Sequence, residues 1–123
     1  MNSTKKQSYE DYLERILMLS KSLNRPIRAI DIVNSFSYSR ASVSIALKKL
    51  AQEGYIVYKD DQSVELTEDG LVIAEETYDR HQIITEALQY MGVSRETSEE
   101  DACKIEHVIS KETFEALKRV IKK

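Results

Sequence analysis

Apolar side chains recur at three- and four-residue intervals along most of this chain and form short β-prone runs in one place only. Tyr9, Leu13, Ile16 and Leu17 mark a first helix. Ser8 is its expected N-cap with Asp11 at N3, residues 1–7 being polar and frayed, and Asn24-Arg25-Pro26 ends it because the proline ring disfavours helical dihedrals at Arg25. After an extended Pro26-Ile27-Arg28, a compact helix over Ala29–Ser35 is expected to turn Ile30 and Val33 inward, with Phe36-Ser37-Tyr38 as a tight connection. Ser39 then caps a third helix whose stripe is Val43, Ala46, Leu47 and Leu50, stopped by Gly54. Ile56-Val57-Tyr58 and Val64-Glu65-Leu66 flank the polar turn Asp60-Asp61-Gln62-Ser63, which predicts a hairpin. Thr67 caps a long helix reaching about Met91, and two more are expected over Ser98–Ile109 and Lys111–Lys122.

This order (helix, short extended piece, helix, turn, helix, two-stranded wing) is that of a winged helix-turn-helix. The fold expected is mainly α: a winged helix-turn-helix DNA-binding domain over 1–70 and a helical domain over 71–123. In the latter, Leu71, Ala74, Ile83, Ile84, Ala87, Leu88 and Met91 with Phe114, Leu117, Val120 and Ile121 are more apolar than a thin helical layer can bury on one side, which predicts a homodimer.

Charge sharpens the picture. The net charge of −3 conceals ten basic against six acidic residues in 1–60 and eight against fifteen in 61–123. The basic half suits a polyanion and the acidic half suits cations. The third helix opens with Ser39-Arg40-Ala41-Ser42, small residues that let a helix enter a major groove about 12 Å wide, and an Arg of the kind that reads guanine. Ser44 sits near the same face, while Lys48, Lys49 and the wing's Lys59 are placed to meet phosphate. The expected partner is double-stranded DNA with a pseudo-palindromic site. No apolar run approaches a membrane span, and a single cysteine predicts a reducing cytoplasm.

The chemistry concentrates in two short patterns. Cys103-x-x-Glu106-His107 places a thiol, a carboxylate and an imidazole at i, i+3 and i+4, on one face of a helix, and Asp11-x-x-Glu14 does the same with two carboxylates. Such donors bind divalent transition metals. His81, in the long fourth helix, is the second of only two histidines. No zinc-finger spacing, metalloprotease motif, phosphate-cradling loop or nucleophile elbow is present, and no enzyme is expected.

Together these patterns resemble the diphtheria-toxin-repressor family of metal-dependent repressors, including its manganese-responsive branch, from about Ser8 to Ile121. The resemblance rests on Tyr9-Glu10-Asp11-Tyr12-Leu13-Glu14-Arg15-Ile16, Ser42-Val43-Ser44, Leu66-Thr67-Glu68-Asp69-Gly70, Arg80-His81 and Ala102-Cys103-Lys104-Ile105-Glu106-His107-Val108-Ile109-Ser110. It implies a two-domain form lacking the SH3-like domain of larger members, in which divalent metal (Mn2+ or Fe2+, with Co2+ or Zn2+ in vitro) activates operator binding. The ligands it implies are Asp11, Glu14, His81, Cys103, Glu106 and His107. Asp11 with Glu14 is similar to the manganese branch, and Cys103 to the iron branch. The residues by themselves also admit a winged-helix regulator sensing a non-metal signal, or a winged-helix adaptor that binds only protein.

Overall fold

The computed structural model describes residues 3–36 and 38–122, with side chains from Ser8 onward. Its elements run α1 (Ser3–Leu23), α2 (Ala29–Ser35), α3 (Arg40–Gln52), β1 (Ile56–Tyr58), β2 (Val64–Leu66), α4 (Glu68–Tyr90), α5 (Arg95–Ile105) and α6 (Lys111–Ile121). The chain divides into two compact units, one of Gln7–Glu75 and one of Glu76–Lys123 with Met1–Lys6. Mainly helical architecture with a two-stranded wing agrees with the sequence reading.

The first unit is the winged helix. Leu13 and Ile16 of α1, Ile32 of α2, Val43, Leu47 and Leu50 of α3, and Ile56 of β1 are its fully buried core. Three local expectations need correction. Ser8 lies inside α1, which starts at Ser3, because Ser3–Gln7 contain no residue that breaks a helix. On α2 the buried residue is Ile32, while Ile30 is exposed and Val33 half-buried. A helix of under two turns has too few positions for periodicity to set its phase; here Asp31 sets it. Asp31 receives Arg25 through two contacts of 2.7 and 3.0 Å and the backbone N–H of Arg28 at 2.9 Å. The Arg25 hydrogen bond is the main reason its carboxyl sits below the usual range. The third concerns the bounds of α5. Ser37, in the expected tight connection, lies outside the described residues.

The wing pairs antiparallel in the register Ile56↔Leu66, Val57↔Glu65, Tyr58↔Val64. Gln62 takes the left-handed conformation in its turn (φ 70°), and Asp61 accepts from the backbone N–H and hydroxyl of Ser63. Val64 N–H donates to Ile27 C=O at 2.7 Å, so the extended Pro26-Ile27-Arg28 is anchored on β2. The start of α4 is docked on the turn after α3. The Thr67 hydroxyl donates to Gly54 C=O at 2.6 Å and caps Gly70 N–H, and a Cβ at Gly70 would run into the Tyr55 carbonyl. Only glycine fits there.

In the second unit, α4 ends before Gly92 (φ 101°), and Ser94, not a residue near Ser98, caps α5 by accepting from Thr97 N–H. Ser98 is instead a fully buried residue inside the helix, its hydroxyl donating back to Val93 C=O. The helix therefore runs Arg95–Ile105 rather than Ser98–Ile109. Ser110 caps α6 through Thr113 N–H. The apolar residues of α6 fall on one side, yet none of them is fully buried.

Candidate functional site

Because α5 ends at Ile105, Glu106 is its C-cap with near-helical dihedrals (φ −58°, ψ −23°) and His107 stands in the turn that follows. Cys103, Glu106 and His107 are thus not an uninterrupted helical face as the spacing suggested. The last turn of α5 and the turn after it nevertheless bring these residues to the middle of α4, where His81 projects.

Glu106 is the centre of the arrangement. It is only 2% exposed, although its side chain is one that rarely leaves water unpaired. Oε2 lies 2.9 Å from His81 Nδ1. Oε1 lies 3.4 Å from His107 Nε2, outside hydrogen-bond geometry, and has no hydrogen-bond partner among the described residues. The Glu106 backbone carbonyl, left over at a helix end, accepts from Arg80 Nε at 2.9 Å. Cys103 Sγ, exposed, is 3.9 Å from the same His81 nitrogen.

One histidine nitrogen thus faces a thiol and a carboxylate. His81 is pushed up to about 10, first by the hydrogen bond with Cys103 and then by that with Glu106, against the burial that would lower it. A proton on His81 would offset the carboxylate beside it, and a metal ion at this point would take that proton's place.

Donor atoms of His81, Cys103 and Glu106 all lie within 4.8 Å of one another. Two of the separations are 2.9 and 3.9 Å, and an ion with ligand bonds of about 2.0–2.3 Å holds neighbouring donors about 3–4 Å apart. A carboxylate oxygen, a borderline nitrogen and a soft sulfur fit a first-row divalent cation better than calcium or magnesium, which prefer all-oxygen sets. His107 stands beside Glu106 with a side chain only 4% exposed. Asp11 and Glu14 lie on α1 in the other unit, Asp11 half-buried and Glu14 buried.

In the winged-helix unit, Ser39, Arg40, Ser42, Ser44, Lys48, Lys49 and Lys59 are all exposed. Ser39 is committed to α3 itself: its Oγ accepts from Ser42 N–H at 3.1 Å and donates to Ser42 Oγ at 3.0 Å. Ser44 and Lys48 line a shallow groove between α3 and the wing with Arg28, Ile30, Tyr58 and Gln62. Lys59 is 3.5 Å from Glu65 across the hairpin, both exposed, so a phosphate would have to compete only with a screened surface pair.

Three features escaped the sequence reading. Arg80 adjoins His81 in the sequence, but its hydrogen bond to the Glu106 carbonyl joins residues 26 apart and leaves no local signal. Arg28, extended as expected (φ −120°, ψ 166°), also lines the α3–wing groove. Tyr38 stacks on Phe36 at 4.7 Å with Arg15 4.6 Å from the Phe36 ring centre, an aromatic support immediately before the cap of α3.

Comparison with known proteins places these two units in context. Residues 6–64 match the model of the iron dependent repressor N-terminal DNA binding domain, and residues 67–123 that of the iron dependent repressor metal binding and dimerisation domain. An uncharacterised HTH-type transcriptional regulator of Methanocaldococcus jannaschii is 37% identical over 118 residues, covering 95% of this chain and 94% of its own. The transcriptional regulator MntR of Escherichia coli O6:H1 is 33% identical over 114 residues, covering 93% of this chain and 73% of its own. Among solved structures, the manganese regulator SloR superposes with a TM-score of 0.79 at 27% identity over 93% of this chain. The chain spans about half of SloR's length, 53%.

Proposed function

As the chain belongs to the iron-dependent repressor family, with matches to both its DNA-binding and its metal-binding and dimerisation domains, we propose that it is a transcriptional repressor whose operator binding is switched on by a divalent transition metal, Mn2+ or Fe2+, in the control of metal homeostasis. The observation that carries this reading is the buried Glu106 carboxylate, which keeps one oxygen without a hydrogen bond while a nitrogen and a sulfur donor converge beside it. His81 pairs with one oxygen of this carboxylate at 2.9 Å, and a bound cation would also satisfy the oxygen that is left over.

The ligands proposed are His81, Cys103, Glu106 and His107, with Asp11 and Glu14 of α1 added on the family resemblance. The first 70 residues are proposed as the DNA-binding domain and 71–123 as the metal-binding and dimerisation domain, the protein acting as a homodimer on a pseudo-palindromic operator in the cytoplasm. No helix among the described residues is long and apolar enough to cross a membrane. The proposed role is regulatory rather than enzymatic.

When bound, the ion would supply a fixed positive charge among the donor carboxylates in place of a proton on His81. The protein's own part is a linkage. His81, Cys103 and Glu106 hold one half of the donor set, and Arg80 fixes the carbonyl of the residue at its centre. If the arrangement in which the α1 donors join them is also the one that binds DNA, site occupancy and DNA binding favour each other by the same free energy.

The test is selection of binding sites from a random-sequence duplex library with and without Mn(II), Fe(II), Co(II) and Zn(II), Fe(II) being handled anaerobically. A shared motif recovered only with metal is expected. A motif recovered equally with chelator present would leave a winged-helix regulator with another signal, and no motif at all would leave a protein-binding adaptor.

Two variant sets refine the reading. Arg40→Ala is expected to relax sequence preference and to cost about 1–3 kcal/mol on the preferred site, if Arg40 holds a guanine through two hydrogen bonds. Lys49→Ala is expected to weaken binding to all sequences alike and to lower the log–log salt slope by about one unit per contact. Competition titrations at several salt concentrations separate the two; reversed effects would mean that α3 enters the groove with another face. At the metal site, Cys103→Asp and Cys103→Glu are expected to move activation toward Mn(II) and away from Fe(II), since a carboxylate is harder than a thiolate. An unchanged metal ranking would reduce Cys103 to a bystander.

A further inference from the structure

Ile45 has no evident role in the fold. It is 57% exposed, the most exposed large apolar side chain among the described residues of the winged-helix unit. Its position is what makes that exposure informative. The buried stripe of α3 is Val43, Leu47 and Leu50, and Ile45, two residues from both Val43 and Leu47, points the opposite way. The face it centres carries Ala41, Ser42, Ser44, Lys48 and Lys49, all exposed. That face is where the polar and basic residues of the helix are gathered, and an isoleucine interrupts it at the second turn.

Local stability does not call for it. A β-branched residue is a weaker helix former than Ala, Gln or Lys, and its apolar surface is left in water. What the residue does offer is a rigid pair of methyl-bearing branches, because its first side-chain torsion is nearly fixed in a helix. Ala41, four residues earlier, adds a further methyl on the same side. On the major-groove edge of B-DNA every base presents hydrogen-bonding groups, and the one apolar group is the C5-methyl of thymine.

We infer that Ile45 is a specificity-determining residue that packs on the C5-methyl of a thymine, so that each half-site carries an A·T pair at the position facing the second turn of α3. This rests on the reading of α3 as the DNA-reading helix and adds the base class it selects. Arg40 at the first turn and Ile45 at the second would then read a purine-acceptor edge and a methyl edge in succession.

The probe is the duplex selected above with Mn(II) or, anaerobically, Fe(II), in which each thymine is replaced in turn by deoxyuridine. This removes only the methyl group and keeps the base pair. For the wild-type protein one thymine per half-site is expected to show a loss of about fourfold, the magnitude of one buried methyl. Ile45→Ala, at an exposed position that folding does not use, is expected to bind the thymine duplex more weakly and to show no deoxyuridine penalty there. Ile45→Val is expected to retain most of the penalty. Identical deoxyuridine profiles for wild type and Ile45→Ala would overturn the inference and leave the proposed function standing. So would an Ile45→Ala variant altered in self-association but not in DNA binding, which would mark the face as a protein contact. Failure to select any sequence would overturn both.

Discussion

Glu106→Gln is expected to abolish metal-activated DNA binding while the protein remains folded. The substitution keeps the shape of a side chain that is 2% exposed but removes the only buried carboxylate in the cluster with His81 and Cys103. Losing a ligand should weaken metal affinity by on the order of 100-fold or more, beyond the 10–100-fold typical of residues that merely orient ligands. Stability without metal should not fall in proportion, because one Glu106 oxygen is already without a hydrogen bond and the neutral amide carries no charge to desolvate. Metal affinity by competition with a chelating dye, and operator affinity by fluorescence anisotropy with and without metal, read the two effects separately. His107→Ala should follow the same pattern, its imidazole standing 3.4 Å from Glu106 Oε1. Variants that bind operator with unchanged metal dependence would show that the site lies elsewhere.

The second large effect is expected from α6. Phe114, Leu117, Val120 and Ile121 occupy successive turns of one face, and none is fully buried. Tyr90, Met91 and Val108 of the same unit are exposed as well, at 69%, 56% and 65%. Apolar surface of this extent marks an interface, and the unit matches a dimerisation domain. The wild-type protein is therefore expected to sediment as a dimer at micromolar concentration without metal. Leu117→Asp should shift it to monomer and reduce affinity for a two-half-site operator by on the order of 100-fold, since the second head would no longer be held at high effective concentration. Affinity for an isolated half-site should be unchanged. A wild-type monomer that bound one half-site as tightly as the full site would defeat this expectation.

Much of the winged helix is legible in the sequence. The Ser39 cap, the Val43-Leu47-Leu50 stripe and the hairpin around Asp60–Ser63 are local features, set by short-range hydrogen bonds and by periodicity over three or more turns. The misplaced boundaries share one cause. At α1 and α5 more than one residue is able to begin the helix, and the choice turns on the absence of any breaker or on which cap lies nearer the preceding turn; α2 has the expected bounds, Ala29–Ser35, and only its buried face differs. Ser98 is a good cap by type, yet it is buried in α5 because Ser94 is equally able to cap and lies closer to Gly92.

The candidate site divides along the same line. Donor types and spacing are properties of the sequence, so Cys103, Glu106 and His107 could be named from it, and His81 joined them through a family resemblance. Helix type, wing and the basic-to-acidic split of the chain were likewise determined by sequence alone, because propensity, capping and charge act within a few residues of where they are written. Only the tertiary structure decided that the Glu106 carboxylate is buried with one oxygen unpaired, that Arg80 holds its carbonyl, and that Ile45 rather than a polar residue centres the outward face of α3. Burial and orphaned hydrogen-bonding capacity are sums over neighbours brought from elsewhere in the chain, and no local pattern contains them.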